Sequence, residues 1–147
     1  MNTFATLSQM ERMIYLKRAS LFAELPPADL KRLSEIAQES VFADGELIAG
    51  EGDPGDEMYI IISGQVSVRA GQGDTGRALA TRGPGEVVGE MSIISQQPRM
   101  AGLVADGDVR LLTIEHKQFE GILRERPETR LAVLRVLCER LKEVSQG

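Results

Sequence analysis

The sequence predicts a mainly β domain whose strands lie between two helical segments. Two patterns support this fold class. Apolar residues recur at helical spacing before residue 41 and after residue 114, whereas short apolar runs separated by glycines occupy residues 41–114. The chain has 147 residues, of which 42% are hydrophobic and 27% charged, and this size and composition are typical of one globular domain. We therefore predict a single domain over residues 1–147.

Residues 1–40 predict two helices. Ser8 and Glu11 form a capping-box pattern, in which each side chain accepts a hydrogen bond from the backbone N–H of the other residue. Pro26 and Pro27 mark the start of a second helix, because proline fits the first helical turn, where an N–H has no partner. The apolar positions at helical spacing are Met10, Met13, Ile14, Leu30, Leu33, Ile36 and Ala37.

Residues 41–114 predict the β-structure. Short runs such as VFA, ELIA, MYIII, QVSVR, AGLVA and VRLLTI are separated by turns that contain glycine. In the run QVSVR, Val66 and Val68 alternate with polar residues, as in a strand that buries one face. Many short strands with regular turns are typical of a sheet that closes or folds over on itself.

Residues 115–147 return to the helical pattern. Pro127 occupies the expected first position of the last helix. The apolar residues of the shorter helix before it are Phe119, Ile122 and Leu123, and those of the last helix are Leu131, Leu134, Leu137, Cys138, Leu141 and Val144.

Charge and histidine content exclude several classes of function. With 22 acidic and 17 basic residues, the net charge is −5, whereas a nucleic-acid surface needs clustered Lys and Arg. His116 is the single histidine, which excludes a catalytic zinc site built from three histidines, and no nucleophile-elbow motif is present. We therefore predict no direct DNA binding, no catalytic activity, and no metal or cofactor.

Cysteine usage and hydropathy indicate the compartment. Cys138 is the single cysteine and cannot form an internal disulfide, which fits a reducing environment, and we predict that it is a small buried apolar residue. No segment approaches the roughly 20 apolar residues of a membrane helix, and the N-terminus lacks the pattern of a signal peptide. We predict a cytoplasmic protein without a membrane segment.

Two short motifs are interpreted as turns. Residues 71–76, GQGDTG, match the GxGxxG pattern of dinucleotide-binding folds, but the RALATRGPG that follows is too short and too rich in glycine for the long helix such folds require. Residues 51–57, EGDPGDE, contain four carboxylates without the spacing of a calcium loop. We interpret Pro54-Gly55 as a type II turn with positive φ at Gly55.

Residues 85–105, GEVVGEMSIISQQPRMAGLVA, predict a site for a phosphate on a ribose. Gly89 would let the backbone approach a ligand closely. A short helix that begins at Glu90 would direct free N–H groups at an anion, and Glu90 would accept from a ribose hydroxyl. Arg99 offers paired donors to phosphate oxygens.

The same segment resembles the phosphate-binding cassette of the cyclic nucleotide-binding domain family, which includes catabolite-activator-type regulators, regulatory subunits of the cyclic-AMP-dependent kinase and cyclic-nucleotide-gated channels. The segments LFAELPPADLKRLSEIA and FADGELIAGEGDPGDEMYIIISGQVSV also resemble the family. The resemblance implies a double-stranded β-helix, or jelly-roll-like β-roll, with N-terminal helices (1–40), the roll (41–114) and C-terminal helices (115–147) that cover the ligand. The ligand-binding residues it implies are Val88, Gly89, Glu90, Met91, Ser92, Arg99, Met100 and Ala101.

The resemblance also implies a function: binding of a cyclic mononucleotide and relay of a conformational change to an effector protein or a fused effector domain. Met100 and Gly102 stand where the family commonly has a small residue and a Ser or Thr. Members selective for cyclic GMP often place a hydroxyl beside the arginine, so we expect cyclic AMP rather than cyclic GMP. No helix-turn-helix module follows the last helix, so we expect output through another protein or a larger polypeptide.

An alternative stays open. The same fold without ligand affinity would serve as a structural or dimerisation module, with the last helix as the surface for a homodimer.

Overall fold

The computed structural model describes residues 6–70, 77–90, 98–99 and 101–146. The elements follow one another as helices, strands and helices again. In chain order they are α1 (Gln9–Arg18), a 3₁₀ helix (Ser20–Phe22), α2 (Pro27–Ile36), β1 (Gln38–Phe42), β2 (Leu47–Ala49), β3 (Glu57–Ala70), β4 (Arg77–Arg82), β5 (Val87–Val88), β6 (Gly102–Glu115), α3 (His116–Glu125) and α4 (Pro127–Gln146).

Two strands of 14 residues each, β3 and β6, form the centre of the sheet. They pair antiparallel along their lengths, from Glu57 opposite Glu115 to Arg69 opposite Gly102. Each of these two long strands pairs on its outer edge with two short strands. β1 and β2 pair with β6, and β4 and β5 pair with β3. The predicted mainly β class, with a folded-over sheet between helices, is confirmed.

The sheet has fewer and longer strands than the glycine spacing predicts. MYIII and QVSVR are parts of β3, and AGLVA and VRLLTI contribute to β6. The register between β3 and β6 shifts on both sides of Ser63, so bulges absorb the irregularity and the ladder continues past Gly64 and Gly107.

β1 begins at Gln38, before the predicted start at residue 41, because its first residues pair through polar side chains. Ser40 and Thr113 share a hydroxyl hydrogen bond of 3.0 Å. Glu39 forms an ion pair of 2.7 Å with Arg110 and also accepts from the backbone N–H of Leu7. These contacts replace the apolar alternation by which a strand is recognised in a sequence.

Alternation along β3 divides the buried residues into two clusters, since successive side chains point to opposite faces. The helix-side core lies between the sheet and the helices and includes Leu16, Leu21, Phe22, Leu33, Met58, Ile60, Leu112, Ile114, Phe119, Val133 and Leu137. The roll core lies on the other face and contains Ala49, Tyr59, Ile61, Val66, Val88, Leu103, Ala105, Val109 and Leu111.

The predicted helix starts are confirmed. Ser8 and Glu11 make both hydrogen bonds of a capping box, and Pro27 and Pro127 are the first residues of α2 and α4. The start of α4 is fixed on α2, because Thr129 donates to the buried carboxylate of Asp29, and Arg126 Nε lies 3.0 Å from that carboxylate.

The outer face of α4 differs from the prediction. Cys138 is exposed rather than buried, as are Leu131 and Leu134. The buried face is formed by Val133 and Leu137, which pack into the helix-side core. The apolar residues of α4 whose side chains the structure describes are therefore spread over two faces, and the face with Val133 and Leu137 packs on the rest of the domain.

The turn predicted at Pro54-Gly55 lies a few residues earlier. The N–H of Asp53 donates to the carbonyl of Gly50 at 3.1 Å, and the positive φ of +87° is at Gly52, not at Gly55. The cause is local, because the Asp53 carboxylate also accepts from the Gly50 N–H at 2.8 Å and closes this turn from both sides. Among the described helices, none combines the length and apolar character needed to cross a bilayer.

Candidate functional site

A cavity of about 550 Å³ opens where the loop before β3, Arg99 and the start of α3 meet. This volume lies within the range of sites for small molecules. Its walls combine apolar residues of the roll with charged residues. The lining residues are Ile48, Ala49, Asp53, Pro54, Asp56, Glu57, Tyr59, Arg99, Glu115, His116 and Lys117.

Arg99 reaches this cavity from a short segment that is fixed through its backbone. Its N–H donates to the carbonyl of Asp53 at 2.9 Å, and its carbonyl accepts from the N–H of Gly52 at 2.8 Å. The residue is 9% exposed. Because both backbone groups bond to one loop, the guanidinium extends from a defined point.

The guanidinium of Arg99 lies between a carbonyl and an aromatic ring. Its Nη2 donates to the backbone carbonyl of Glu57 at 2.5 Å, and its Cζ lies 5.4 Å from the centre of the Tyr59 ring. A cation over the face of a ring is attracted by the ring's electrons. Neither contact neutralises the positive charge, so the side chain keeps its capacity for an anion.

The guanidinium of Arg99 fits beside Gly89 because this residue has no side chain. Its φ of +84° is in the left-handed region, and a Cβ on this residue would lie 2.7 Å from Nη1 of Arg99 and 3.0 Å from the carbonyl oxygen of Glu57. The glycine is therefore required both by its backbone conformation and by the close approach of Arg99. The close approach predicted at Gly89 was that of a ligand, whereas the close approach that the structure describes is that of Arg99.

Tyr59 forms the wall beneath Arg99 and has its own partner. Its hydroxyl donates to Oε1 of Glu57 at 3.0 Å. Burial raises the pKa of Tyr59 to about 12, and the negative charge of Glu57 adds to the effect. The phenol is thus neutral, and it holds the Glu57 side chain beside the backbone carbonyl that Arg99 contacts.

His116 connects the site to α3. Its backbone N–H donates to the carbonyl of Asp56 at 2.8 Å, and its imidazole forms a hydrogen bond with the backbone of Gly89. Burial lowers the pKa of His116 below its ordinary value of 6.5, and the nearby charge of Arg99 lowers it further.

Of the predicted ligand residues, one lines the cavity, four are described elsewhere, and three lie outside the described residues. Of those that the structure describes, only Arg99 lines the cavity. Val88 is buried in the roll core, Gly89 contacts Arg99, Glu90 is 9% exposed in the turn after β5, and Ala101 is half-buried just before β6. Met91, Ser92 and Met100 lie outside the described residues, as does the GQGDTG segment at 71–76. β4 follows that segment, so the long helix of a dinucleotide-binding motif is not formed.

Sequence reasoning missed the lining residues other than Arg99, among them Glu57, Tyr59 and His116, which contact Arg99 or its neighbours. Glu57 contributes a backbone carbonyl to Arg99, for which no side-chain pattern exists. Tyr59 is on the roll side of β3, and alternation indicates two faces without identifying which one lines a site. The position of His116 directly after the last strand was an available signal, but we considered this residue only as a catalytic group.

The acidic residues of the cavity form no recognisable metal site. Within residues 6–70, 77–90, 98–99 and 101–146, no group of three or more His, Cys, Asp or Glu residues is placed to hold an ion. The cavity instead combines the buried cation of Arg99 with apolar residues and with the acidic residues Asp53, Asp56, Glu57 and Glu115. An anion would therefore pair with the guanidinium of Arg99.

Comparison with known proteins identifies the fold family. The model of the cyclic nucleotide-binding domain matches residues 39–126. The CRP-like cAMP-activated global transcriptional regulator of Mycobacterium tuberculosis is 33% identical over 133 residues, which are 90% of this chain and 59% of that protein. The Cyclic AMP receptor protein of Thermus thermophilus is 32% identical over 129 residues, 87% of this chain and 60% of that protein.

A solved structure agrees with these matches. The N-terminal domain of a transcriptional regulator from Streptomyces coelicolor A3(2) superposes with a TM-score of 0.76 at 34% identity, covering 90% of this chain and 96% of that domain. The chain spans about 60% of the length of the two curated relatives. The relatives are regulatory proteins rather than enzymes, which agrees with the prediction of a domain without catalytic activity. The chain belongs to the cyclic nucleotide-binding domain family.

Proposed function

We propose that this domain binds cyclic AMP and passes a change of conformation to a partner protein or a fused domain. The observation that carries the proposal is the position of Arg99, whose charged guanidinium lines the cavity between two neutral groups, the Glu57 carbonyl and the Tyr59 ring. A cyclic phosphate would supply the missing negative charge. Charge-assisted pairs of this kind contribute about 1.5–3 kcal/mol each.

The nucleotide is proposed as cyclic AMP for two reasons. The two curated relatives are named for this ligand. In addition, Met100 follows Arg99 where cyclic-GMP-selective members often place a hydroxyl. We propose ligand contacts at Val88, Gly89, Glu90, Met91, Ser92, Arg99, Met100 and Ala101, with Glu90 accepting from the ribose 2′-hydroxyl.

The test is a calorimetric titration of the domain with cyclic AMP and with cyclic GMP. We expect a binding signal that is stronger for cyclic AMP and is abolished in Arg99→Ala. Arg99→Lys should bind at least about tenfold more weakly, since an ammonium group cannot donate in the paired planar geometry. Arg82→Ala, which removes an exposed arginine of β4, is the matched control and should bind like the wild type. If neither nucleotide gives heat or a thermal shift at millimolar concentration, the proposal is wrong.

A second candidate function is a dimerisation module, and one observation favours it. Leu131 and Leu134 are 58% and 40% exposed on the outer face of α4, and Cys138 is exposed one turn further on. Residues at these spacings lie along one side of a helix. Two copies of α4 would cover this apolar face by packing against each other.

Paired substitutions test this second function better than truncation. Removal of the chain after Pro127 would also remove Val133 and Leu137 from the helix-side core. The double variant Leu131→Asp, Leu134→Asp leaves that core intact and should convert a dimer into a monomer in sedimentation equilibrium. Met10→Asp, at an exposed residue of α1, is the control. Oxidative cross-linking through Cys138 would show the helices side by side, and a wild-type monomer that does not cross-link would contradict the dimer.

The remaining expectations belong to the same proposal. The net charge of −5 supports output through a protein partner rather than direct contact with DNA. A single exposed cysteine supports a reducing compartment such as the cytoplasm.

A further inference from the structure

His116 lies where the ligand cavity meets the C-terminal helices. It is the first residue of α3, it lines the same cavity as Arg99, and it is 7% exposed. The backbone N–H bonds to Asp56 and the imidazole bonds to Gly89. Its Nε2 atom is buried and, within the part of the chain that the structure describes, has no hydrogen-bond partner. An imidazole with one ring nitrogen in use can accept a proton on the other.

His116 and Arg99 contact the same two parts of the backbone. Arg99 lies against Gly89 and donates to the carbonyl of Glu57. His116 forms hydrogen bonds with Gly89 and with Asp56, the residue before Glu57. A displacement of Arg99 would therefore act on both hydrogen-bond partners of His116. No other imidazole can occupy this position, because His116 is the single histidine of the sequence.

Several charged residues surround His116, and they come from the loop before β3, the segment of Arg99, β6 and α3. Arg99 is the cation that opposes its protonation, after burial. Asp56 from the loop before β3 and Glu120 one turn along α3 favour protonation. Glu115 and Lys117 flank the histidine in sequence, and Glu57 and Asp53 line the same cavity.

We propose that His116 is a positioning residue of the nucleotide site, and that it takes up a proton from solvent when the ligand's phosphate binds Arg99. The proposal rests on the proposed function. The phosphate offsets the charge of Arg99, so the cation that opposes protonation of the imidazole is compensated, while Asp56 and Glu120 still favour it. Protonation puts an N–H on Nε2 and a positive charge on a residue that lines the same cavity as Arg99. No bond other than this N–H is made.

Linkage sets the direction of the pH effect. The complex binds more protons than the free domain at pH values between the pKa of His116 in the free state and its higher pKa in the complex. Affinity for cyclic AMP therefore rises as the pH falls through this interval. The limit is tenfold per pH unit for one proton. The cyclic phosphodiester stays ionised throughout, so the ligand contributes no titration of its own.

The single histidine makes the first measurement direct. The Cε1–H resonance of His116 is followed by NMR as a function of pH, without ligand and with saturating cyclic AMP. We expect the pKa of His116 to be higher in the complex, and we expect cyclic AMP to bind about three- to tenfold more tightly at about pH 6 than at about pH 8.

Two variants separate titration from packing. His116→Gln retains an N–H for the Gly89 backbone but does not titrate, so it should bind as the wild type does at high pH and show no pH dependence. His116→Phe loses both properties and should bind more weakly at every pH. Lys31→Gln, at an exposed residue of α2, is the control that keeps the wild-type pH dependence.

The outcomes distinguish this proposal from the proposed function. If cyclic AMP binds and the His116 resonance titrates identically with and without it, proton uptake is disproved while the binding function stands. If cyclic AMP does not bind at all, both fail. Should either variant be unfolded, the wild-type NMR titration still decides.

Discussion

Nη1 of Arg99 lies against Gly89, at the place where any other residue would put its Cβ. Both residues belong to segment 85–105, which resembles a phosphate-binding cassette, and nine residues of it lie between them. The absence of a side chain at Gly89 lets the guanidinium of Arg99 approach. This relationship makes the glycine a determinant of ligand geometry as well as of chain conformation.

Gly89→Ala should weaken both folding and nucleotide binding. A Cβ at this position would meet the Glu57 carbonyl oxygen as well as Arg99, in a backbone conformation with φ of +84°. Left-handed strain in a non-glycine residue costs about 1–3 kcal/mol. We expect a loss of this size in urea denaturation, together with weaker cyclic AMP binding in calorimetry. Gly45→Ala, at a turn glycine with φ of +83° and open space around it, is the control: it shares the strain but should retain binding.

Thr129→Val should destabilise the domain by about 1–3 kcal/mol, because it leaves the buried Asp29 carboxylate without its hydroxyl donor. Valine has nearly the same shape as threonine, so packing is retained. The measurement is the free energy of unfolding from urea titration. Thr81→Val, at an exposed position of β4, is the matched control and should change stability by less than about 0.5 kcal/mol. Equal stabilities for the two variants would contradict a role for the Thr129–Asp29 bond.

Glu39→Gln should lower stability at neutral pH and have a smaller effect in acid. Burial raises the pKa of Glu39, but the hydrogen bonds from Arg110 and the Leu7 N–H outweigh it, so the pKa lies below the ordinary value of 4.5. A carboxyl group with a depressed pKa stabilises the folded state above its unfolded pKa, and this contribution is lost as the pH falls through the folded pKa.

The free energy of unfolding of wild type and Glu39→Gln is therefore compared from about pH 7 to about pH 3. The difference between the two proteins should be largest above about pH 5 and should shrink below the ordinary carboxyl range. A difference that does not change with pH would show that Glu39 acts by packing alone.

Tyr59 should resist ionisation until its pKa of about 12. Spectrophotometric titration of tyrosinate in the wild type should show this late step, and Tyr59→Phe should lack it. The folded state keeps its proton beyond the unfolded value of about 10, so the stabilisation is present below that value and is lost as the pH rises through about 12. If both proteins show the same late step, it does not belong to Tyr59.

The features predicted correctly from the sequence are those with local causes. The capping box at Ser8, the helix start at Pro127 and the strand–helix order all follow from residues close in sequence. Glycine punctuation predicted too many strands, because bulges let β3 continue past Gly64. The half-buried pair Glu39–Arg110 and the buried pair Asp29–Thr129 join residues that are 71 and 100 positions apart, so no local sequence pattern predicts them.

The part of the candidate site that could be predicted from the sequence is the part formed by residues of one continuous segment, 85–105. Gly89 and Arg99 belong to that segment and are in contact in the structure. The Glu57 carbonyl and the His116 ring come from a strand and a helix that approach only in the fold. Cys138 was predicted as buried because an amphipathic stripe was assigned a single covered face, whereas α4 has apolar residues on two.

The long pairing of β3 with β6 has a consequence for the order of folding. The pairs Arg69–Gly102 and Glu57–Glu115 are at its two ends, and the chain enclosed between the partners is much longer at the second end. Closing a longer loop costs more entropy, and contacts between distant residues form slowly. Glu57 and His116 both lie at this second end, so the ligand cavity is completed only when the more distant contacts between β3 and β6 have formed. Acquisition of nucleotide affinity would therefore report a late stage of the pairing of these two strands.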